Sequence, residues 1–320
     1  MSKIALPPLG IGTAAIGNLY APVSDADAEA TIRAALDGGI SYFDTAPFYG
    51  FGLAERRLGA ALGDAPVLIS TKVGRLLEPT DARGERHGYV DADPYEPHFD
   101  YSADAIRRSH ESSLARLKRD RVDILLAHDL GRMTHGEDHP RHLRAFVDGG
   151  YRAMRDLRDA GAIGAIGIGV NEIAICLELI QQVELDVILL AGRYTLLDRS
   201  AADQLIPECA RRGIRLIVGG PYNSGILARD DLGDAGSLHY DYGRAPESVV
   251  ARARRLAALC ARFGASLPAA ALQFPLRDPR VATVIAGVAN AHEVHDLIAR
   301  AEADISEELW TALTQEENIA

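Results

Sequence analysis

The sequence predicts an α/β fold, a (β/α)8 barrel with long loops at its C-terminal face. Three observations predict it. Short apolar, β-like runs alternate with helical patterns along the whole chain, the signature of a parallel sheet with crossover helices. Eight such strand–helix units are present, the number that closes a barrel. Polar residues cluster just past the C-terminal ends of consecutive runs, the rim where barrels carry chemistry.

The predicted strands are Leu9–Gly12, Ile40–Phe43, Val67–Thr71, Val122–Ala127, Ala165–Val170, Val187–Leu190, Leu216–Val218 and Val281–Ile285. Between them, Ser24 is placed to cap a helix over Asp25–Leu36 that Gly38 and Gly39 stop. Ser102 opens the next, with Ile106, Leu114 and Leu117 near one face. Glu172–Val183, Ala201–Arg212, Glu247–Phe263 and His292–Ala303 read as further helices, and Trp310 as a packing residue of a C-terminal one. Three long connections, Gly74–Tyr101, Asp129–Gly149 and Gly219–Arg244, follow strands three, four and seven and so rise from one face. Connections that long in a compact domain are lids or specificity loops. The first holds Tyr89, Tyr95, Phe99 and Tyr101, too aromatic for a solvated tether. No Gly/Ser or Pro linker divides the chain, so residues 1–320 read as a single domain.

Composition narrows the function. The 320 residues are 48% hydrophobic, with 34 basic and 45 acidic side chains for a net charge of −11. That balance disfavours broad attraction to nucleic acid or an anionic membrane. The opening residues lack the pattern of a signal peptide, and no apolar run is long enough to span a bilayer. Cys176, Cys209 and Cys260 are odd in number and far apart, as expected for buried thiols in a reducing cytoplasm. His135, His139 and His142 are spaced like metal ligands, but Pro140 interrupts any single helix and no carboxylate or Cys completes a site. No metal is expected there, and the segment reads as a mobile loop. His292 and His295, Arg107 and Arg108, and Arg252, Arg254 and Arg255 read as solvated helix faces.

Asp44, Tyr49, Lys72 and His128 follow the second, third and fourth strands and converge at one mouth if those strands are neighbours. An acid, a phenol, an ammonium and an imidazole suit proton transfer at a carbonyl or alcohol carbon. A free phenol titrates near ~10, and a cation at ~4 Å with an effective dielectric of ~20 favours phenolate by about 4 kcal/mol before desolvation. Lys72 is expected to supply that charge, Asp44 to hold Lys72, and His128 to orient the substrate oxygen. Lys72 at a strand end is also compatible with Schiff-base chemistry, although a neighbouring Asp44 keeps the amine protonated.

The runs Phe43–Gly50, Ser70–Gly74 and Leu126–Asp129, with Gly10–Thr13 and Gly164–Asn171, together resemble the aldo-keto reductase superfamily over essentially the whole chain. The resemblance implies a (β/α)8 barrel binding a nicotinamide cofactor without a Rossmann fold, with Asp44, Tyr49, Lys72 and His128 as catalytic tetrad. His128-Asp129 and the stretch Gly219–Leu227 look most like the L-fucose, D-threo-aldose and L-galactose 1-dehydrogenase group, with pyridoxal 4-dehydrogenase a close relative. That implies an oxidoreductase oxidising the C1 hydroxyl of an aldose to the lactone with NAD, or a pyridoxal or general aldehyde/ketone oxidoreductase on the same tetrad. Some relatives serve as channel subunits, a role the intact tetrad argues against. A monomer or homodimer in the cytoplasm is implied.

The implied cofactor contacts are Gly12, Thr13, Asp44, Asn171, Gly220, Pro221, Asn223, Gly225, Gly287 and Glu293. The implied substrate contacts are Tyr20, Phe48, Tyr49 and His128, with Tyr89, Phe99 and Tyr222 as further pocket aromatics. Where many relatives grip the carboxamide with a Ser-Asn pair and a Gln, this chain reads Val170, Asn171 and Ala191. Gly219 stands where many place an aromatic under the nicotinamide, leaving Tyr222 or Tyr194 to substitute. No Lys or Arg lies between Arg280 and Arg300, and Glu293 would repel a 2′-phosphate, so NAD is expected over NADP.

Overall fold

The computed structural model describes residues 4–233, 236 and 238–316; the remaining residues of the predicted 1–320 domain lie outside it. Twelve strands are present among the described residues: β1 Leu9–Gly12, β2 Tyr42–Asp44, β3 Leu68–Val73, β4 Arg75–Pro79, β5 Tyr95–Phe99, β6 Val122–His128, β7 Ile163–Val170, β8 Val187–Ala191, β9 Arg215–Gly219, β10 His239–Tyr240, β11 Gly243–Arg244 and β12 Val281–Gly287. Eight of them close a parallel barrel in the order β1-β12-β9-β8-β7-β6-β3-β2. These eight match the predicted strands to within a few residues. The other four form two antiparallel hairpins, β4–β5 and β10–β11.

The helices are α1 Asp25–Asp37, α2 Leu53–Leu62, α3 Ala103–Leu117, α4 Arg132–His135, α5 His139–Ala145, α6 Tyr151–Asp159, α7 Ile173–Leu179, α8 Leu205–Arg212, α9 Glu247–Arg262, α10 Leu267–Gln273, α11 Ala291–Glu302 and α12 Glu307–Glu316. Ser24 and Ser102 cap α1 and α3 by accepting from Asp27 N at 3.0 Å and Ala105 N at 3.3 Å, satisfying amides that the first turn leaves free. α7 and α8 are shorter than predicted. Among the described residues, no single helix is long and apolar enough to cross a membrane.

The expected loop over Asp129–Gly149 is mostly helical. Pro140 sits in the first turn of α5, where its missing N–H removes no helix bond, so it starts the helix and does not interrupt one. Of the three histidines there, two stack on each other and the third is bonded elsewhere. His139 bonds Leu130 O at 3.1 Å and Glu178 at 3.0 Å, while the His135 and His142 rings stack at 4.1 Å. The expected loop over Gly74–Tyr101 begins and ends in the β4–β5 hairpin.

Strand side chains alternate between two apolar layers. Tyr42, Ile124, Leu126, Val187, Leu189, Ile217 and Ile285 fill the barrel, over Ile4 and Leu6. Phe43, Leu125, Ile188 and Leu190 face the helices. Gly169 opens the barrel interior at one point: a Cβ there would lie 3.2 Å from Lys72 Cε. The absent side chain is what lets the long lysine stem run up inside the barrel. Trp310 is buried on α12, and the three cysteines are buried and free.

Candidate active site

Parallel pairing of β2 with β3, and of β3 with β6, sets Asp44 beside Ser70 and Lys72 beside Leu126. Lys72 Nζ donates to Asp44 Oδ2 at 2.7 Å, to Thr45 O at 2.9 Å and to Tyr49 OH at 3.1 Å. The other Asp44 oxygen accepts from Ser70 Oγ at 2.6 Å, and Ser70 is bonded to Tyr42 OH at 2.9 Å. Lys72 is 2% and Asp44 4% exposed. A buried ammonium needs such a partner set to remain ionised.

The His128 and Tyr49 ring centroids lie 6.0 Å apart, edge to face. Burial, then the Arg75 and Lys72 charges, holds the His128 imidazole well below its ordinary value. It is neutral at neutral pH, with a buried Nδ1 that has no hydrogen-bond partner among the described residues. Beside it, Asp129 Oδ2 is 3.5 Å from His128 Nε2 and also pairs with Arg75. Burial raises the Asp129 carboxyl against the pull of Arg75.

Tyr49 departs from expectation. Burial, then Asp44, holds its phenol well above the ordinary value. Lys72 does touch the hydroxyl, but Asp44 lies against the same ammonium and offsets its charge, while desolvation disfavours phenolate. The resting residue is a neutral phenol that receives a hydrogen bond from a cation.

Above the four residues lies a cavity of about 490 Å³, walled by Tyr20, Phe48, Tyr89, His87, Leu189 and Tyr242, among others. It shares Tyr20, Tyr49, Asn171 and Tyr242 with a groove of about 350 Å³ that runs across the ends of β8, β9 and β12. The groove contains no Lys or Arg among its lining residues; Asp44 and Asp241 are its charged groups.

A family model described as "Aldo/keto reductase family" matches residues 8–317. The chain belongs to the aldo/keto reductase family. It is 40% identical to pyridoxal 4-dehydrogenase from Microbacterium luteolum, covering 98% of this chain and 94% of the relative. It is 36% identical to D-threo-aldose 1-dehydrogenase from a Pseudomonas species, over 98% and 94% of the two chains. An aldo-keto reductase AKR11C1 from Bacillus halodurans, in its holo form, superposes with a TM-score of 0.74 at 24% identity, covering 99% and 94%. This aldo/keto reductase is therefore an oxidoreductase, and the family uses nicotinamide cofactors.

The groove has features that fit such a cofactor. Among the described residues, Asn223 Oδ1 is buried there without a hydrogen-bond partner, and Cβ atoms built on Gly225 and Gly287 would meet nothing within 4 Å. Gly12, Asp44, Asn171, Gly220, Pro221, Asn223, Gly225 and Gly287 all line it. Thr13 and Glu293 do not. Thr13 donates its hydroxyl to Asp44 O at 3.0 Å and is buried. Glu293 accepts from Ala289 N at 2.8 Å and from Asn290 Nδ2 at 3.0 Å, and its amide donates to Asn290 Oδ1 at 2.9 Å, which caps α11.

Among the aromatics, Phe48, Tyr20 and Tyr89 wall the tetrad cavity, whereas Tyr222 lines the groove alone. Phe99 lines neither; it packs edge-on against His135 at 4.5 Å. Tyr194 also lies away from both, with its ring 5.4 Å from Phe274. Tyr20, Tyr49 and Tyr242 stand where cavity meets groove, and of these sequence reading missed Tyr242. Its hydroxyl accepts from Asn171 Nδ2 at 3.2 Å and its amide donates to Ser224 Oγ at 2.9 Å. Next to it, Asp241 is clamped by Arg193 at 2.9 and 3.0 Å. The one available signal was the Asp-Tyr pair at the end of the third long connection.

Proposed function

We propose that this aldo/keto reductase oxidises the hydroxyl-bearing carbon of a cyclic hemiacetal to a lactone, the substrate being an aldose of the L-fucose, D-arabinose or L-galactose type and the acceptor NAD. The observation that carries the reading is Lys72 hydrogen-bonded at once to Asp44 and Tyr49 at the floor of a walled cavity. Bound NAD would take up the hydride at its nicotinamide ring. The chain's residues manage the proton. Tyr49 receives the hydroxyl proton of the substrate, and Lys72 stabilises the phenolate form that can do so. Because burial keeps the phenol protonated, oxidation gains from alkaline pH while the reverse reduction finds its proton donor ready. Neutral His128 orients the substrate oxygen by hydrogen bonding and does not protonate it.

The cation-free lining of the groove supports NAD over NADP, since a 2′-phosphate calls for a basic partner. Comparing kcat/KM for the two cofactors tests this; a preference for NADP contradicts it. Three free buried thiols support a reducing cytoplasm.

Pyridoxal is the second reading, favoured by one observation: Tyr20, Phe48, Tyr89 and Tyr242 give the cavity flat aromatic walls, suited to a pyridine ring as well as to sugar C–H faces. The 40% identical relative carries that substrate in its name. Monitoring NADH formed from L-fucose, D-arabinose, L-galactose, pyridoxal and simple alcohols separates the readings. Turnover of simple alcohols alone would defeat both.

A further inference from the structure

We propose that Asp129 is the acceptor for a second substrate hydroxyl next to the reacting one, so that the enzyme selects hydroxylated hemiacetals over their deoxy analogues. In an aldose this is the hydroxyl on C2; in pyridoxal it is the phenolic hydroxyl. The inference rests on the hemiacetal reading above and names the feature by which that site would choose its substrates.

Asp129 lines the tetrad cavity and has no part in the proton path described for Tyr49 and Lys72. It is held from several sides. Its backbone is left-handed, with φ at 48°, a conformation that non-glycine residues keep where the surrounding structure enforces it. Its amide donates to Gly169 O at 3.0 Å on the neighbouring strand. Tyr101 OH donates to the carbonyls of His128 at 2.6 Å and Asp129 at 3.3 Å. The carboxylate pairs through Oδ2 with Arg75, and the Arg75 guanidinium lies over the rings of Phe48 at 3.8 Å and Phe99 at 4.8 Å.

The hydrogen bonding of the carboxylate falls on Oδ2, leaving Oδ1 without a partner among the described residues. Asp129 Oδ2 is 3.5 Å from His128 Nε2. A hydroxyl bonded to that imidazole nitrogen therefore brings a neighbouring hydroxyl, roughly one hydrogen-bond length away, within reach of the carboxylate. The Arg75 guanidinium opposes the burial that raises the Asp129 carboxyl, and a charged acceptor makes the stronger bond.

The test measures kcat/KM with NAD for two substrate pairs, L-fucose with 2-deoxy-L-fucose and pyridoxal with 3-deoxypyridoxal, in the wild-type enzyme and in Asp129→Asn. In the pair that the enzyme accepts, the wild type is expected to favour the hydroxylated member by about 10- to 100-fold, the range for a hydrogen bond to a charged group. Asp129→Asn is expected to shrink that preference to about twofold while turnover of the deoxy member stays near wild type. Unchanged deoxy turnover also shows that the variant folds. A wild-type ratio near one overturns the proposal without any variant. Equal loss on both members of a pair overturns it too, because Asp129 would then act through His128 or the fold. If none of the four compounds yields NADH, the hemiacetal reading itself fails and takes this proposal with it.

Discussion

On one side of the barrel mouth, β2, β3 and β6 crowd ionisable side chains into a nearly water-free network, with Lys72, Asp44 and His128 between 2% and 6% exposed. On the other side, β8, β9 and β12 end in Ala191, Gly219 and Gly287, and the groove they border has no cation in its wall. The first side fixes charge by removing every alternative partner. The second leaves room, with left-handed Gly192, Gly220 and Gly225 in its lining. One side is built for proton control and the other for holding an extended molecule. Each should therefore fail in its own way when altered.

On the charged side, Lys72→Met should have an effect as large as any. It removes the hydrogen bond that favours phenolate, and kcat is expected to fall by about 10²–10⁴-fold, with the remaining activity shifted to higher pH. A pH–rate profile of the variant checks both parts. If NAD affinity fell by the same factor, the two sides would not be separable.

Gly287→Val probes the opposite side. A Cβ there meets no atom of the described residues within 4 Å, so thermal stability should stay near wild type. NAD affinity should weaken by about tenfold, or roughly 1.4 kcal/mol. Calorimetric titration with NAD gives the answer, and unchanged affinity would move the cofactor out of the groove.

The smallest effect concerns stability against pH, and it belongs to the charged side. His128 is held well below its ordinary value when folded, whereas the unfolded chain takes up that proton near about pH 6.5. Its neutral burial therefore leaves stability intact above that pH and erodes it as pH falls toward the folded value. His135, held down to about 4, and His110 act in the same direction. His128→Gln should flatten the fall in Tm between about pH 7 and pH 5. A slope as steep as the wild type's would place the acid sensitivity elsewhere.

The contrast between the two sides also explains what could be read from the sequence. All eight barrel strands were legible because buried parallel strands are short continuous apolar runs, and Ser24 and Ser102 marked their helices. Asp44, Tyr49, Lys72 and His128 were legible because each follows such a run. What depends on the third dimension was not. Tyr242 meets Asn171 across 71 positions of sequence, and Arg75 reaches Asp129 across 54. The hairpin β4–β5 carries Pro79 and Pro97 in its short strands, and proline reads against a strand. Helix α2 follows Gly50 and Gly52, which read as loop punctuation. The Tyr49 phenol shows the limit most clearly: the cation beside it could be foreseen, but the burial that outweighs it could not.

The central claim is that Tyr49 moves the proton while other residues hold the cofactor. Its most direct test is NADH formation by Tyr49→Phe on the best substrate of the wild-type panel, alongside NAD binding to the same variant. The account predicts turnover lowered by about 10²–10⁴-fold with NAD affinity essentially unchanged. Turnover at the wild-type rate would contradict it.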